Sequence, residues 1–169
     1  MKKQNNFFRI LTLSLAVASM ISFASCSKKT KPDENTTPET PSPSADANLM
    51  GDSDSNKAMG LQTVHFPYDS FVLDDAAKET LKANAEILKG KASVKIQVEG
   101  HCDQRGGIQY NIALGEKRAN ATKRYLVDLG VTGDRITTIS YGKERPADPA
   151  TNDEAYAKNR RSNFVITSK

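Results

Sequence analysis

From Ser27 to about Lys57 the chain reads SKKTKPDENTTPETPSPSADANLMGDSDSNK, and this run confines any hydrophobic core to the residues that follow it. Lysine, threonine, proline, serine, aspartate and glutamate dominate, and almost nothing is apolar. Such a segment cannot bury enough surface to offset the entropy of ordering it, so a flexible tether is expected. A flexible chain of this length spans roughly 30 Å, and more where proline and charge stiffen it. The chain therefore divides into residues 26–58 as linker and 59–169 as one folded domain, with its first element near Leu61.

The residues before the linker have a different character. MKKQNNFFR is followed by ILTLSLAVASMISFA, then Ser25 and Cys26. A basic start, about fifteen apolar or small residues and a small-residue exit read as a cleaved secretory signal over residues 1–25, since roughly 20 apolar residues are needed to span a bilayer. The exit Phe23-Ala24-Ser25-Cys26 resembles a bacterial lipobox, with Phe where Leu is most common; its cysteine becomes the lipidated first residue. The alternative is an ordinary signal peptide with Cys26 beside it by chance. A multi-chain lipid anchor holds firmly, because each buried methylene contributes about 0.8 kcal/mol. Ser27 is not the Asp that retains some lipoproteins at the inner membrane, so the expected address is the outer membrane with the domain facing the periplasm.

Charge is interpreted after this processing. Removing Lys2, Lys3 and Arg9 from 24 basic residues leaves 21 against 20 acidic ones, a net of +1. No global electrostatic case for nucleic acid remains. With Cys26 lipidated, Cys102 has no partner in the chain and is buried, reactive or paired between molecules.

Periodicity places the elements. LQTVHF, Leu61 to Phe66, is a short strand that Pro67 ends or holds at an edge. DDAAKETLKANAEILKG has Ala77, Leu81, Ala85 and Leu88 at helical spacing, Asp74 or Asp75 as N-cap and Gly90 as stop. VKIQVEG alternates, with Val94, Ile96 and Val98 on one face and Lys95, Gln97 and Glu99 on the other, which predicts a sheet with one wet face. A second helix runs from about Ile108 to Leu129. RITTISYG from Arg135 is a third strand, NDEAYAKN a short helix, and RSNFVITS, Arg161 to Ser168, a last strand. The order predicts an α/β (α+β) fold, a two-layer βαβαβ-type sandwich of about 105 residues.

GHCDQRGGIQYNIALGEKRA, Gly100 to Ala119, carries the densest chemistry. The chain has only His65 and His101 as imidazoles, and consecutive His101, Cys102 and Asp103 on a strand diverge, so no metal site is expected. A thiol nucleophile needs a base within reach and a lowered pKa, and His101 should point to the opposite face from Cys102. Gly106-Gly107 precedes a helix but matches no nucleotide loop, and reads as a tight turn. No catalysis and no cofactor are expected. Asn111, Leu114 and Arg118, at i, i+3 and i+7, share a helix face at the margin of the apolar stripe of Ile112, Ala119, Thr122, Leu126 and Leu129. Arg118 can then reach toward Asp103, either as a structural salt bridge or as half of a zwitterion receptor, Asp103 taking an ammonium and Arg118 forking onto a carboxylate.

The run VKIQVEGHCDQRGGIQYNIALGEKRANATKRYLVDLGV, followed by ITTISYGKERPA and AYAKNRRSNFVI, resembles the peptidoglycan-associated lipoproteins, which carry the periplasmic OmpA-like domain. The similarity covers about Val64 to Ile166, and its Asn-x-x-Leu-x-x-x-Arg helix signature falls on Asn111, Leu114 and Arg118. The resemblance implies non-covalent binding of the peptide stem of peptidoglycan at meso-diaminopimelate. Asp103 would take the ammonium and Arg118 the carboxylate, Asn111 and Leu114 would shape the pocket, and Tyr68 with Asp69 would add a wall and a carboxylate. Arg160 would brace the site. It also implies a TolB-like periplasmic propeller protein as partner in the Tol-Pal system of envelope integrity and cell division. Cys102, Gln104 and Pro67 stand where Thr, Glu and Asp are usual, so a hydroxyl gives way to a thiol that hydrogen-bonds weakly.

The expectation is thus an outer-membrane lipoprotein that tethers the membrane to the wall. The alternatives are an envelope protein-protein interaction module with a weakened wall pocket, or a thiol enzyme that Cys102→Thr would abolish. A wall-binding stator would need an uncleaved membrane helix, against which the short apolar run argues.

Overall fold

The computed structural model describes residues 50–169; the expected signal peptide, Cys26 and the linker as far as residue 49 lie outside the described residues. The elements in chain order are β1 (Val64–His65), α1 (Asp75–Lys89), β2 (Lys95–His101), α2 (Ile108–Asp128), β3 (Ile136–Gly142), α3 (Asp153–Asn159) and β4 (Arg161–Ser168). They form one four-stranded sheet in the order β1-β4-β2-β3, with β2 and β3 parallel and β4 antiparallel to both β1 and β2. Cross-strand partners Ile96 with Ile166 and Val98 with Phe164 present one apolar face. Ala77, Leu81, Ala119 and Leu126 of α1 and α2 join that face in a single buried cluster, which makes the expected two-layer α/β sandwich.

The helix ends follow their sequence signals. The Asp74 carboxylate accepts the Ala77 N–H at 2.8 Å, and Gly90 closes α1. Asn152 caps α3 in the same way through the Ala155 N–H, again at 2.8 Å. One polar residue interrupts the buried stripe of α1, and it has a purpose. Asn84 accepts from the Gln62 N–H at 2.9 Å and donates to the Gln62 carbonyl at 2.8 Å.

That clasp explains why β1 has two residues where a strand from Leu61 to Phe66 is predicted. With both backbone groups of Gln62 taken by a helix side chain, the chain there has none left for the sheet ladder. The edge that β1 leaves open on β4 is filled by residues before the expected boundary at 58/59. Met50 N–H donates to Ile166 O at 3.0 Å, Ser53 N–H to Phe164 O at 2.9 Å, and Ile166 N–H to Gly51 O at 2.9 Å. Ala58 is wholly buried. The folded unit therefore includes residues 50–58.

The second sheet face is wet only in part. Lys95 is exposed as expected, but Glu99, His101, Arg161 and Asn163 are buried. A polar network covers them: Ser53 Oγ donates to Asn163 Oδ1 at 2.7 Å, Asn163 Nδ2 donates to Glu99 Oε2 at 3.0 Å, and Arg161 pairs with Asp54 at 2.7 Å. Alternation alone cannot reveal such a cover, because these residues look like any solvent-facing set.

Helix α2 crosses β2 at unusually close range. A Cβ on Gly100 would stand 1.9 Å from the Gly115 carbonyl oxygen, and one on Gly115 would stand 2.3 Å from Ser140 Oγ. Only two glycines permit this approach, since the obstruction is largely backbone and cannot swing away. Gly100→Ala should therefore lower stability by about 3 kcal/mol, read as a reduced urea midpoint.

Candidate binding cleft

The close crossing brings α2 across the end of β2, where the strand gives way to Cys102, Asp103 and the glycine turn. Asn111, Leu114 and Arg118 all turn inward from α2, as their spacing predicts. Arg118 is not at the margin of the helix stripe but fully buried, at 0% exposure. Its guanidinium donates to three backbone carbonyls: Nη1 to His101 at 2.8 Å, Nε to Ser70 at 2.8 Å and Nη2 to Pro67 at 3.2 Å. It makes no ion pair with Asp103. Burial pulls its pKa below the usual arginine value, against the neighbouring Cys102, Asp103 and Asp69. These carbonyls take three of its five N–H groups, and the Cys102 sulfur neighbours the guanidinium as well.

Asp103 pairs instead with two other arginines. Arg105 Nη2 lies 2.7 Å from Oδ2, Arg105 Nε 3.2 Å and its backbone N 3.1 Å from Oδ1, while Arg160 Nη1 is 3.4 Å from Oδ2. Burial alone would raise the Asp103 carboxyl, but these donors hold it below the usual carboxylate range. Arg160 also donates Nε to the Phe66 carbonyl at 3.0 Å.

Asn111 organises the turn between strand and helix, donating Nδ2 to the carbonyls of Arg105 at 2.8 Å and Gly107 at 3.1 Å. Cys102 is buried, its thiol 3.3 Å from the Asn111 carbonyl. Burial pushes that thiol up to about 11, so it is protonated at neutral pH and lacks the thiolate a nucleophile requires. His101 faces the underside, stacked on Tyr141 with ring centroids 5.7 Å apart. Among the described residues no group of three or more His, Cys, Asp or Glu is placed to hold a metal ion.

The loop between β1 and α1 supplies the opposite wall. Tyr68 is exposed, and Asp69 adopts a left-handed backbone, φ 50°, that aspartate tolerates better than most residues. Its carboxylate accepts a hydrogen bond from the Tyr110 hydroxyl. The result is a cleft of ≈ 210 Å³ lined by Tyr68, Asp69, Asp103, Asn111, Leu114 and Arg118, together with Cys102, Arg105 and Tyr110. A larger, shallower groove of ≈ 470 Å³ beside α1 and α3 holds only Arg160 of the expected set. The smaller cleft is therefore the candidate site, with six of seven expected residues in its lining and Arg160 behind Asp103.

Sequence reasoning missed Arg105, Tyr110 and Tyr156. The Arg105 guanidinium lies 4.2 Å from the Tyr68 ring centroid and 4.5 Å from that of Tyr156. A signal for it was present: Asp103 two residues ahead of a basic residue, just before Gly106-Gly107, is the spacing of an Asx turn.

A buried polar cleft between strand end and helix, on an α/β sheet with an inserted antiparallel strand, has counterparts. The OmpA family's sequence model matches residues 65–160, and the fold is of that class. The chain is 36% identical over 152 residues to the peptidoglycan-associated lipoprotein of Pasteurella multocida, covering 90% of this chain and 95% of that one. It is 35% identical to that of Buchnera aphidicola, covering 96% and 98%. The crystal structure of the peptidoglycan-associated lipoprotein from Burkholderia pseudomallei superposes with a TM-score of 0.60 at 34% identity, covering 69% of this chain and 97% of that chain. The chain belongs to the peptidoglycan-associated lipoproteins of the OmpA family. The Helicobacter pylori MotB C-terminal domain, at 22% identity and a TM-score of 0.61, shares the fold.

Burial of His101 and Cys102 has two measurable consequences. Burial lowers the folded-state pKa of His101, against the pull of Glu99, so in the folded protein the ring stays neutral to lower pH than in the unfolded chain, where it titrates at about 6.5. The unfolded state binds the extra proton first, so stability falls as pH drops through that value and levels off below the folded pKa. Denaturant midpoints between pH 7.5 and 5 should show this decline, and His101→Gln should reduce it, leaving the share of His65, whose pKa burial also lowers. Cys102 should resist iodoacetamide at pH 7.5 in the folded protein and react once urea unfolds it, followed by mass spectrometry.

Proposed function

We propose that the chain is an outer-membrane lipoprotein, anchored through Cys26, whose domain binds peptidoglycan non-covalently and ties membrane to wall. The observation that carries this reading is the cleft: an arginine, Arg118, in its lining, a carboxylate at one wall and a second carboxylate, Asp69, at the other. A zwitterionic amino acid needs such opposed charges, and ≈ 210 Å³ suits one amino-acid side chain rather than a folded partner. The names of the relatives support it, and meso-diaminopimelate of the stem peptide is the amino acid whose second ammonium and carboxylate match. Asp103 takes the ammonium, Arg118 the carboxylate, and Asn111, Leu114, Tyr68 and Asp69 shape the pocket.

Two charge-assisted contacts contribute about 1.5–3 kcal/mol each before losses, which gives weak binding at a single site. Many copies on one membrane facing one polymer would make the attachment firm through effective concentration while each contact stays reversible.

A second reading, a protein-interaction module, is favoured by the apolar residues that the β1–α1 loop exposes: Tyr68 at 62%, Phe71 at 38% and Val72 at 64%. A TolB-like periplasmic propeller protein of the Tol-Pal system fits that surface, which overlaps the cleft mouth at Tyr68, so wall and propeller would compete.

Co-sedimentation of the chain from Ser27 onward with purified sacculi tests the wall reading. Asp103→Asn should lose pelleting. Arg118→Ala should lose it too, but its three carbonyl contacts make that variant a stability lesion as well, so the Asp103 variant is decisive. Full pelleting of Asp103→Asn would remove the cleft from consideration.

A further inference from the structure

The carboxylate assigned to the ligand ammonium is not vacant. Arg105 covers both oxygens of Asp103, Nη2 to Oδ2 at 2.7 Å and Nε to Oδ1 at 3.2 Å. An ammonium needs the same lone pairs at the same distance, so it cannot reach Asp103 while Arg105 stays in place. We propose that Arg105 is a gate: a built-in cation that occupies the ammonium subsite and that the side-chain ammonium of the wall ligand must displace. The proposal rests on the reading that Asp103 receives that ammonium.

The two arginines on Asp103 differ in the way a gate and a brace should. Arg160 is the more buried, 15% exposed at its side chain; its contact with Asp103 is long at 3.4 Å, and its Nε is committed to the Phe66 carbonyl. Arg105 is 39% exposed at the mouth of the cleft, and among the described residues its guanidinium lies, apart from Asp103, against the faces of Tyr68 and Tyr156, with the Asp153 carboxylate attracting it from farther off. Ring faces restrain a cation without demanding one direction, so the guanidinium can leave Asp103 and remain between the tyrosines. The Arg105 backbone N–H, 3.1 Å from Oδ1, stays behind to hold the carboxylate's aim.

Exchange of one cation for another has two consequences. The ligand gains only the difference between its ammonium contact and the arginine contact it replaces, which keeps affinity low at a buried carboxylate. A ligand without the ammonium has nothing to open the gate, so Arg105 adds discrimination.

The test is calorimetric titration of the processed full-length chain in detergent with the stem tripeptide L-alanyl-γ-D-glutamyl-meso-diaminopimelate, and with the same peptide acetylated on the diaminopimelate side-chain amine. Arg105→Gln should bind the free amine roughly fivefold more tightly than the unaltered chain, the gain expected when a partly exposed ion pair no longer competes. Tyr156→Leu, which removes one restraining ring, should shift in the same direction by less. Neither variant should bind the acetylated peptide better than the unaltered chain does. Equal or weaker binding by Arg105→Gln, with Asp103→Asn still abolishing binding by the unaltered chain, overturns the gate alone. An equal gain with the acetylated peptide overturns it too, because Arg105 would then merely fill space. If neither the unaltered chain nor Arg105→Gln binds either peptide, the reading of the cleft fails and the gate with it.

Discussion

The guanidinium of Arg118 is the point on which the cleft end of the molecule is assembled. A charge removed from water is tolerated only where hydrogen bonds replace its hydration, and three carbonyls do so here. Those carbonyls belong to two chain segments distant in sequence, the β1–α1 loop and the end of β2, while the arginine itself stands on α2. One side chain thus fixes the loop that carries Tyr68 and Asp69, the strand end that leads to Asp103, and the helix that carries Asn111 and Leu114. The Gly100–Gly115 crossing is its precondition. With any side chain at either position α2 would ride farther from β2, and the guanidinium would no longer lie within hydrogen-bond distance of the His101 carbonyl.

The elements that proved legible in the sequence are those whose signals are local. β4 has the bounds predicted for it, Arg161 to Ser168, and α1 begins and ends at its aspartate and glycine caps. β1 was not legible in length, because the residue that removes Gln62 from the ladder, Asn84, sits 22 positions away and reads only as a blemish in a helix stripe. The partial cover on the second sheet face was hidden for the same reason. Ser53 and Asp54 belong by composition to a tether, and only the long-range partners Asn163 and Arg161 draw them into the fold.

The site divides along the same line. The inward face of Asn111, Leu114 and Arg118 follows from helical spacing, and Asp103 from its place at a strand end. Which cation meets Asp103 does not follow, because it depends on loop paths. A helix face pointing at a strand end made Arg118 the natural partner, yet the backbone carbonyls of the β1–α1 loop claim it first. Arg105, folded back by its own Asx turn, is then the nearest cation with a free guanidinium. The two opposed charges of the pocket survive this change of partners, but the negative one is shielded.

Consecutive arginines connect this site to the start of the folded chain. Arg160 contacts Asp103 on the cleft side, and Arg161, at the first position of β4, pairs with Asp54 on the other. The segment before Asp54 continues along β4 to Met50, which bonds Ile166 near the far end of that strand. The described chain therefore starts at one end of β4, and the cleft lies at the other. A pull between them runs along the strand direction, so the hydrogen bonds of Gly51 and Ser53 to β4 resist it together, sliding rather than opening one after another. Under the function proposed above, with the chain anchored ahead of Met50 and a ligand in the cleft, this is the stiffer of the two arrangements, and it depends on residues 50–58 being part of the fold.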